Sequence, residues 1–118
     1  MEIKSNVVES KAVKLSVMDG EKEAGWAYLF LIANDRHKES YGYLENVYVH
    51  PEYRSQGLGK KLVYGIFDEA KKHGCYKIVA TSRYSKPDVH AMYERYGFKD
   101  HGKNFRIDLI DSKVLQAD

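Results

Sequence analysis

Val47-Tyr48-Val49-His50-Pro51-Glu52-Tyr53-Arg54-Ser55-Gln56-Gly57-Leu58-Gly59-Lys60-Lys61-Leu62 is the stretch that decides how this chain folds. It begins as the end of an apolar, β-prone run, Tyr43–Val49, which His50-Pro51 closes. A short polar loop follows, and two glycines then open a segment with a different hydrophobic period. From Gly57 to His73, Leu58, Leu62, Val63, Ile66, Phe67 and Ala70 share one helical face. Lys60, Lys61, Asp68, Glu69, Lys71 and Lys72 share the other. Gly74 is placed to end that helix, and Lys71, Lys72 and His73 suit the negative end of its dipole.

Upstream, Ala12, Lys14, Ser16 and Met18 alternate with Val13, Leu15 and Val17, a strand pattern. Asp19-Gly20 signals a hairpin into a second strand over Ala24–Ala33, which Asn34-Asp35 ends. Downstream, Ile78-Val79-Ala80 within Tyr76–Ser82 is apolar on both faces, as a central parallel strand would be. Ser85-Lys86-Pro87 breaks the chain, and Asp88 is the expected N-cap of a second helix with Val89, Met92, Tyr93 and Tyr96 on its inner face. Gly97 ends it, and Phe98–His101 with Phe105–Ile110 reads as a closing hairpin about Gly102.

Antiparallel strands followed by strand–helix–strand define the expected fold class. It is mixed α/β, a mostly antiparallel twisted sheet with a central parallel βαβ unit and helices packed on it. A length of 118 residues, without repeats or linkers, fits one domain over residues 1–118. The charges nearly cancel, 19 basic against 17 acidic for a net +2, which gives no reason to expect a nucleic-acid partner. The longest apolar run, near Ala27–Ala33, is too short to span a membrane, and Met1–Ser10 lacks the apolar core of a signal peptide. Cys75 is the only cysteine, so a reducing, cytoplasmic setting is expected. His37, His50, His73, His90 and His101 show no metal-ligand spacing, so no metal is expected.

The glycine turn carries the chemistry. Glycines let a backbone come close to a ligand, and the start of a helix offers free N–H groups at its positive end. Arg54, Lys60 and Lys61 add charge, so the turn suits a phosphate or pyrophosphate. It is not the P-loop, because Lys61 follows Lys60 and no glycine lies five before Gly59. Nor is it the dinucleotide fingerprint, whose third glycine position is Leu62 here. What remains is R-x-x-G-x-G: Arg54, Gly57 and Gly59.

That motif after an apolar strand, followed by Tyr93-Glu94-Arg95-Tyr96-Gly97-Phe98, resembles the GNAT superfamily of N-acetyltransferases across roughly Tyr43 to Asp100. The resemblance implies acetyl-CoA as donor and a primary amine as acceptor, with direct transfer through a tetrahedral intermediate. It implies that amides of Ser55, Gln56, Gly57, Leu58, Gly59 and Lys60 hold the pyrophosphate beside Arg54. It also implies that the pantetheine arm pairs with Val47, Tyr48 and Val49, where the amide of Val49 polarises the thioester carbonyl. Glu45 is then the base for the ammonium acceptor, and Tyr93 the acid for the leaving thiolate. With the strand regular, Glu45 shares a face with Val47 and Val49.

Each of these residues also has a plainer reading. Tyr93 suits a core aromatic, Glu45 a solvated strand position, and His90 either a surface site or an alternative base. The sequence departs from the family in two ways. Lys86 stands where many relatives carry an asparagine, and Met1–Asp19 has no room for the helix pair that usually walls the acceptor site. An open acceptor side, or one completed in a homodimer, follows from the second. A donor other than acetyl-CoA and a non-catalytic CoA-binding module are the competing functions. Glu39, Glu45 and Glu52 would favour a polycationic acceptor.

Overall fold

The computed structural model describes residues 1–110. Their contacts group into two compact units, one over Met1–Ala80 and one from Thr81 onward. In the first unit, strands β1 (Lys11–Asp19), β2 (Lys22–Ile32) and β3 (Tyr41–Val49) form an antiparallel meander. A short 3-10 turn (Pro51–Tyr53) leads to helix α1 (Leu58–Lys72), and strand β4 (Ile78–Ala80) then pairs parallel to β3. The sheet order is β1-β2-β3-β4.

The expected hairpin forms with Gly20-Glu21 as its two-residue turn. Asp19 faces Lys22 across it, and Gly20 alone takes a positive φ, 61°, as a type II′ turn requires. Alternation along β1 holds: Val13, Leu15 and Val17 are half-buried and their neighbours exposed. On β2, Ala27, Leu29 and Leu31 are buried. They meet Leu62, Val63, Ile66 and Ala70 of α1, which crosses β1, β2 and β3, and together with Leu44 and Ala24 these residues make the core.

α1 ends as its glycine signals. Gly74 adopts φ 72°, its N–H reaches Lys71 O at 3.1 Å, and Cys75 N–H reaches Ala70 O at 2.9 Å, a Schellman closure. The same closure ends α2 (Pro87–Arg95) in the second unit. There Gly97 N–H bonds Glu94 O and Phe98 N–H bonds Tyr93 O, both at 3.0 Å.

Three details differ from the sequence expectations. The N-cap of α2 is Lys86 rather than Asp88, because Pro87 has a φ preset for the first helical position and Asp88 falls inside the first turn. β4 is an end strand among the described residues and its three side chains are half-buried, so its apolar run does not mark a central strand. Phe98–Ile110 forms no hairpin: Gly102 has no positive φ to reverse the chain, and no ladder forms there. Phe105, Ile107 and Leu109 keep their alternation while 86%, 65% and 64% exposed.

Candidate active site

β3 does not run regularly. Tyr28 faces Glu45 on β3, but Trp26, two residues away, faces Tyr48, so one extra β3 residue sits opposite Ala27. The bulge is set by Asn46, whose φ of 57° is left-handed. Asparagine tolerates that region better than most residues, and such a bulge resets which side chains share a face. Glu45 therefore lies on the face of Tyr28, Trp26 and Tyr48, and Val49 lies with Gly25 on the α1 side. The expected shared face of Glu45 with Val47 and Val49 is corrected accordingly. Glu45 is exposed and has no ion-pair partner among the described residues.

Beyond the bulge, the open edge of β3 is defined by its hydrogen bonds. His50 N–H bonds Ala24 O at 2.8 Å, so the backbone groups of Val49 point the other way, off β2. On that side the ladder to β4 stops at Leu44↔Ala80. Arg54 folds back onto this edge. Its Nε donates to Val49 O at 2.8 Å and its guanidinium sits 5.4 Å from the Tyr48 ring centroid. Tyr48 in turn packs against Trp26, with centroids 4.9 Å apart, and against His50 at 5.2 Å. Trp26 Nε1 is buried without a hydrogen-bond partner among the described residues. Arg54 thus ties the glycine turn to the strand edge as well as supplying charge.

The turn itself is preset for an anion. Ser55 and Gly57 both take left-handed backbone, φ 67° and 77°. Gly57 is the N-cap of α1 and no side chain caps the helix. The first turn contains no acid, and Lys60 and Lys61 stand where a helix dipole disfavours cations by about 0.3–1 kcal/mol. A Cβ added at Gly57 or Gly59 would meet nothing within 4 Å. Uncapped amides, lysines at the positive end and open space on the glycines are local costs that a bound phosphate would offset. Residues Ser55 to Lys60 thus suit an anionic group such as a phosphate.

Other predicted residues resolve separately. Tyr93 lies on α2, in the second unit, where its carbonyl accepts the Schellman bond and its ring meets Phe98 edge-on at 5.4 Å. The Tyr-x-x-x-Gly-Phe spacing is therefore the closure that fixes the last turn on which Tyr93 sits. His90 Nε2 lies 2.7 Å from Arg83 O, a bond that occupies one ring nitrogen. Glu52 pairs with Lys22 and Glu39 lies beside His37, so of the three glutamates Glu45 alone has no ion pair among the described residues. Cys75 is half-buried, and desolvation raises its thiol pKa. No group of three metal-ligating side chains occurs among the described residues, and no described helix is long and apolar enough to cross a membrane.

Sequence reasoning missed two features. The bulge had a signal: Glu45-Asn46 puts two polar residues in succession where alternation should continue. The contact between Tyr53 and Asp19 had none, because the partners are 34 residues apart.

An αβ fold whose β3–β4 ladder stops at Leu44↔Ala80 and whose α1 starts on an uncapped glycine turn is a scaffold shared with acetyltransferases of known structure. Residues 9–98 match the Acetyltransferase (GNAT) family, and the chain belongs to it. The family uses acetyl-CoA. The chain is 39% identical over 69 residues to a glucosamine 6-phosphate N-acetyltransferase of Trypanosoma brucei brucei, covering 58% of this chain and 44% of that one. It is 37% identical over 57 residues to the ribosomal protein bS18-alanine N-acetyltransferase of Escherichia coli K12, covering 48% and 38%. The chain thus spans less than half the length of these curated relatives. A crystal structure of a Trypanosoma brucei acetyltransferase superposes with TM-score 0.73 at 29% identity, covering 83% of this chain and 69% of the other.

Proposed function

We propose that this protein transfers the acetyl group of acetyl-CoA to a primary amine. The observation that carries the reading is the uncapped start of α1, where left-handed Ser55 and Gly57 and the open space at Gly59 leave amides for a pyrophosphate. The amine must be neutral to attack, and Glu45, exposed and without an ion pair among the described residues, takes its proton directly or through water. Nitrogen then bonds to the thioester carbon, and the Val49 N–H, directed off β2, stabilises the oxygen that gains charge. The carbon–sulfur bond breaks and the thiolate takes a proton from Tyr93, whose phenol suits an acid at neutral pH. The names of the relatives support an amine acceptor, since each is an N-acetyltransferase.

Calorimetric titration with acetyl-CoA, free CoA and ATP tests the binding step. Acetyl-CoA and CoA should bind at micromolar concentration, and Gly57→Glu should abolish binding by placing a carboxylate in the turn at a φ that L-residues disfavour. Chemistry is then read by thiol release over a panel of amines. Tyr93→Phe should keep its CoA affinity and lose about 10²-fold or more in kcat. A wild type that binds CoA yet acetylates no amine would point instead to a CoA-binding module.

A further inference from the structure

The end of the β1–β2 hairpin is fastened to the residues just before the phosphate-binding turn. Asp19 Oδ2 accepts a hydrogen bond from the Tyr53 hydroxyl at 2.7 Å. Lys22, which faces Asp19 across the hairpin turn, lies with Nζ 3.1 Å from Glu52 Oε1 and 5.4 Å from the Tyr53 ring centroid. Each contact is exposed and contributes little to global stability. Their position gives them another use.

Glu52 and Tyr53 end the 3-10 turn, and the next residues are the strained ones. Ser55 holds a left-handed φ of 67°, which costs an L-residue about 1–2 kcal/mol. Such a conformation persists only where its surroundings over-determine it. On the C-terminal side, α1 supplies that hold through buried Leu62, Val63 and Ile66. Between the hairpin and the residues flanking Ser55 lies an open cavity of about 310 Å³ rather than packed side chains, lined by Met18, Asp19, Glu52, Tyr53, Gln56 and Leu58 among others. On the N-terminal side the described residues supply two holds, Arg54 on Val49 O and the hairpin contacts on Glu52 and Tyr53.

We propose that Tyr53 and Asp19 are positioning residues for the coenzyme. The hairpin end holds the Arg54–Gly57 backbone in the shape that receives a pyrophosphate before the ligand arrives. The inference rests on the acetyl-CoA reading above. Pre-organisation of this kind raises affinity without adding a contact to the ligand.

Tyr53→Phe removes the hydroxyl and keeps the ring. The Kd for CoA should rise about five- to tenfold, with kcat for saturating acetyl-CoA within about twofold of wild type. S-acetyl-pantetheine lacks the pyrophosphate, so its kcat/KM should not change. Asp19→Ala should match Tyr53→Phe, the double variant should be no worse than either, and Asp19→Asn, which keeps an acceptor, should recover most of the affinity. Equal CoA affinity in Tyr53→Phe and wild type would overturn the proposal, as would a parallel loss with S-acetyl-pantetheine. Lys22→Met breaks the other strut at an exposed position and repeats the comparison if Tyr53→Phe folds poorly. A wild type that binds no CoA would instead sink the acetyl-CoA reading, and this inference with it.

Discussion

At Gly59 the backbone is not left-handed, and an added Cβ would meet no atom within 4 Å. Nothing among the described residues asks for glycine there, and in a helix it is worse than alanine by up to about 1 kcal/mol. On the proposed function, the reason is a ligand that lies against the backbone. Gly59→Ala should therefore melt at the wild-type temperature or slightly above, while its CoA affinity falls by about tenfold or more, as thermal melts and calorimetry would show. A loss of stability without a loss of affinity would assign Gly59 to the fold instead. The turn was legible from residues because glycine, arginine and lysine each have few reasons to gather at a helix start. The helix end at Gly97 was legible too, and it places Tyr93 on the last turn of α2. The partnership of Tyr53 with Asp19 was not, since a tyrosine and an aspartate 34 residues apart carry no mutual signal until the hairpin brings them together.

At the scale of elements, the clamp between hairpin and turn has a pH window. The hydrogen bond to Asp19, and then burial, hold the Tyr53 phenol above its ordinary 10.0. The hydrogen bond from its own backbone N–H, and then Lys22, hold the Glu52 carboxyl below its ordinary 4.5. The raised phenol contributes stability that is complete below its unfolded value and lost as pH rises through its folded one. The depressed carboxyl contributes above its unfolded value and loses that contribution as pH falls through its folded one. The melting difference between wild type and Tyr53→Phe should thus be constant through neutral pH and close above about pH 10. A difference that grows with alkali would contradict this. Helix ends were readable because Gly74 and Gly97 announce Schellman closures, and the β1–β2 hairpin because Gly20 does the same for a turn. The face of Glu45 was not readable from alternation alone. A strand at Phe105–Ile110 was read from period-2 apolar residues, but a pattern fixes which face a strand would bury and not whether a partner is beside it.

At the scale of the whole molecule, stability in the first unit depends on one layer of contacts between α1 and the meander. Ile66 is fully buried at the centre of it. Ile66→Ala should cost about 2–5 kcal/mol, read as a lower denaturant midpoint, because neighbours held by a sheet cannot close the void. Substituting exposed Lys61 or Asp68 on the opposite helix face should cost less than about 0.5 kcal/mol. The fold class was legible because the change of period at Gly57 forces a strand–helix–strand crossover, whatever the details of each strand. Asn46 sets a limit on how such a chain can vary. It is a phase marker: with an ordinary extended φ at this residue the pleat would be regular, yet every residue after it would exchange sides. Tyr48 would leave the face it shares with Trp26, and Val49 would turn its N–H toward β2. The side that each of these groups faces is therefore set by the backbone of one residue, and loss of that residue would close the bulge and keep Tyr48 opposite Trp26.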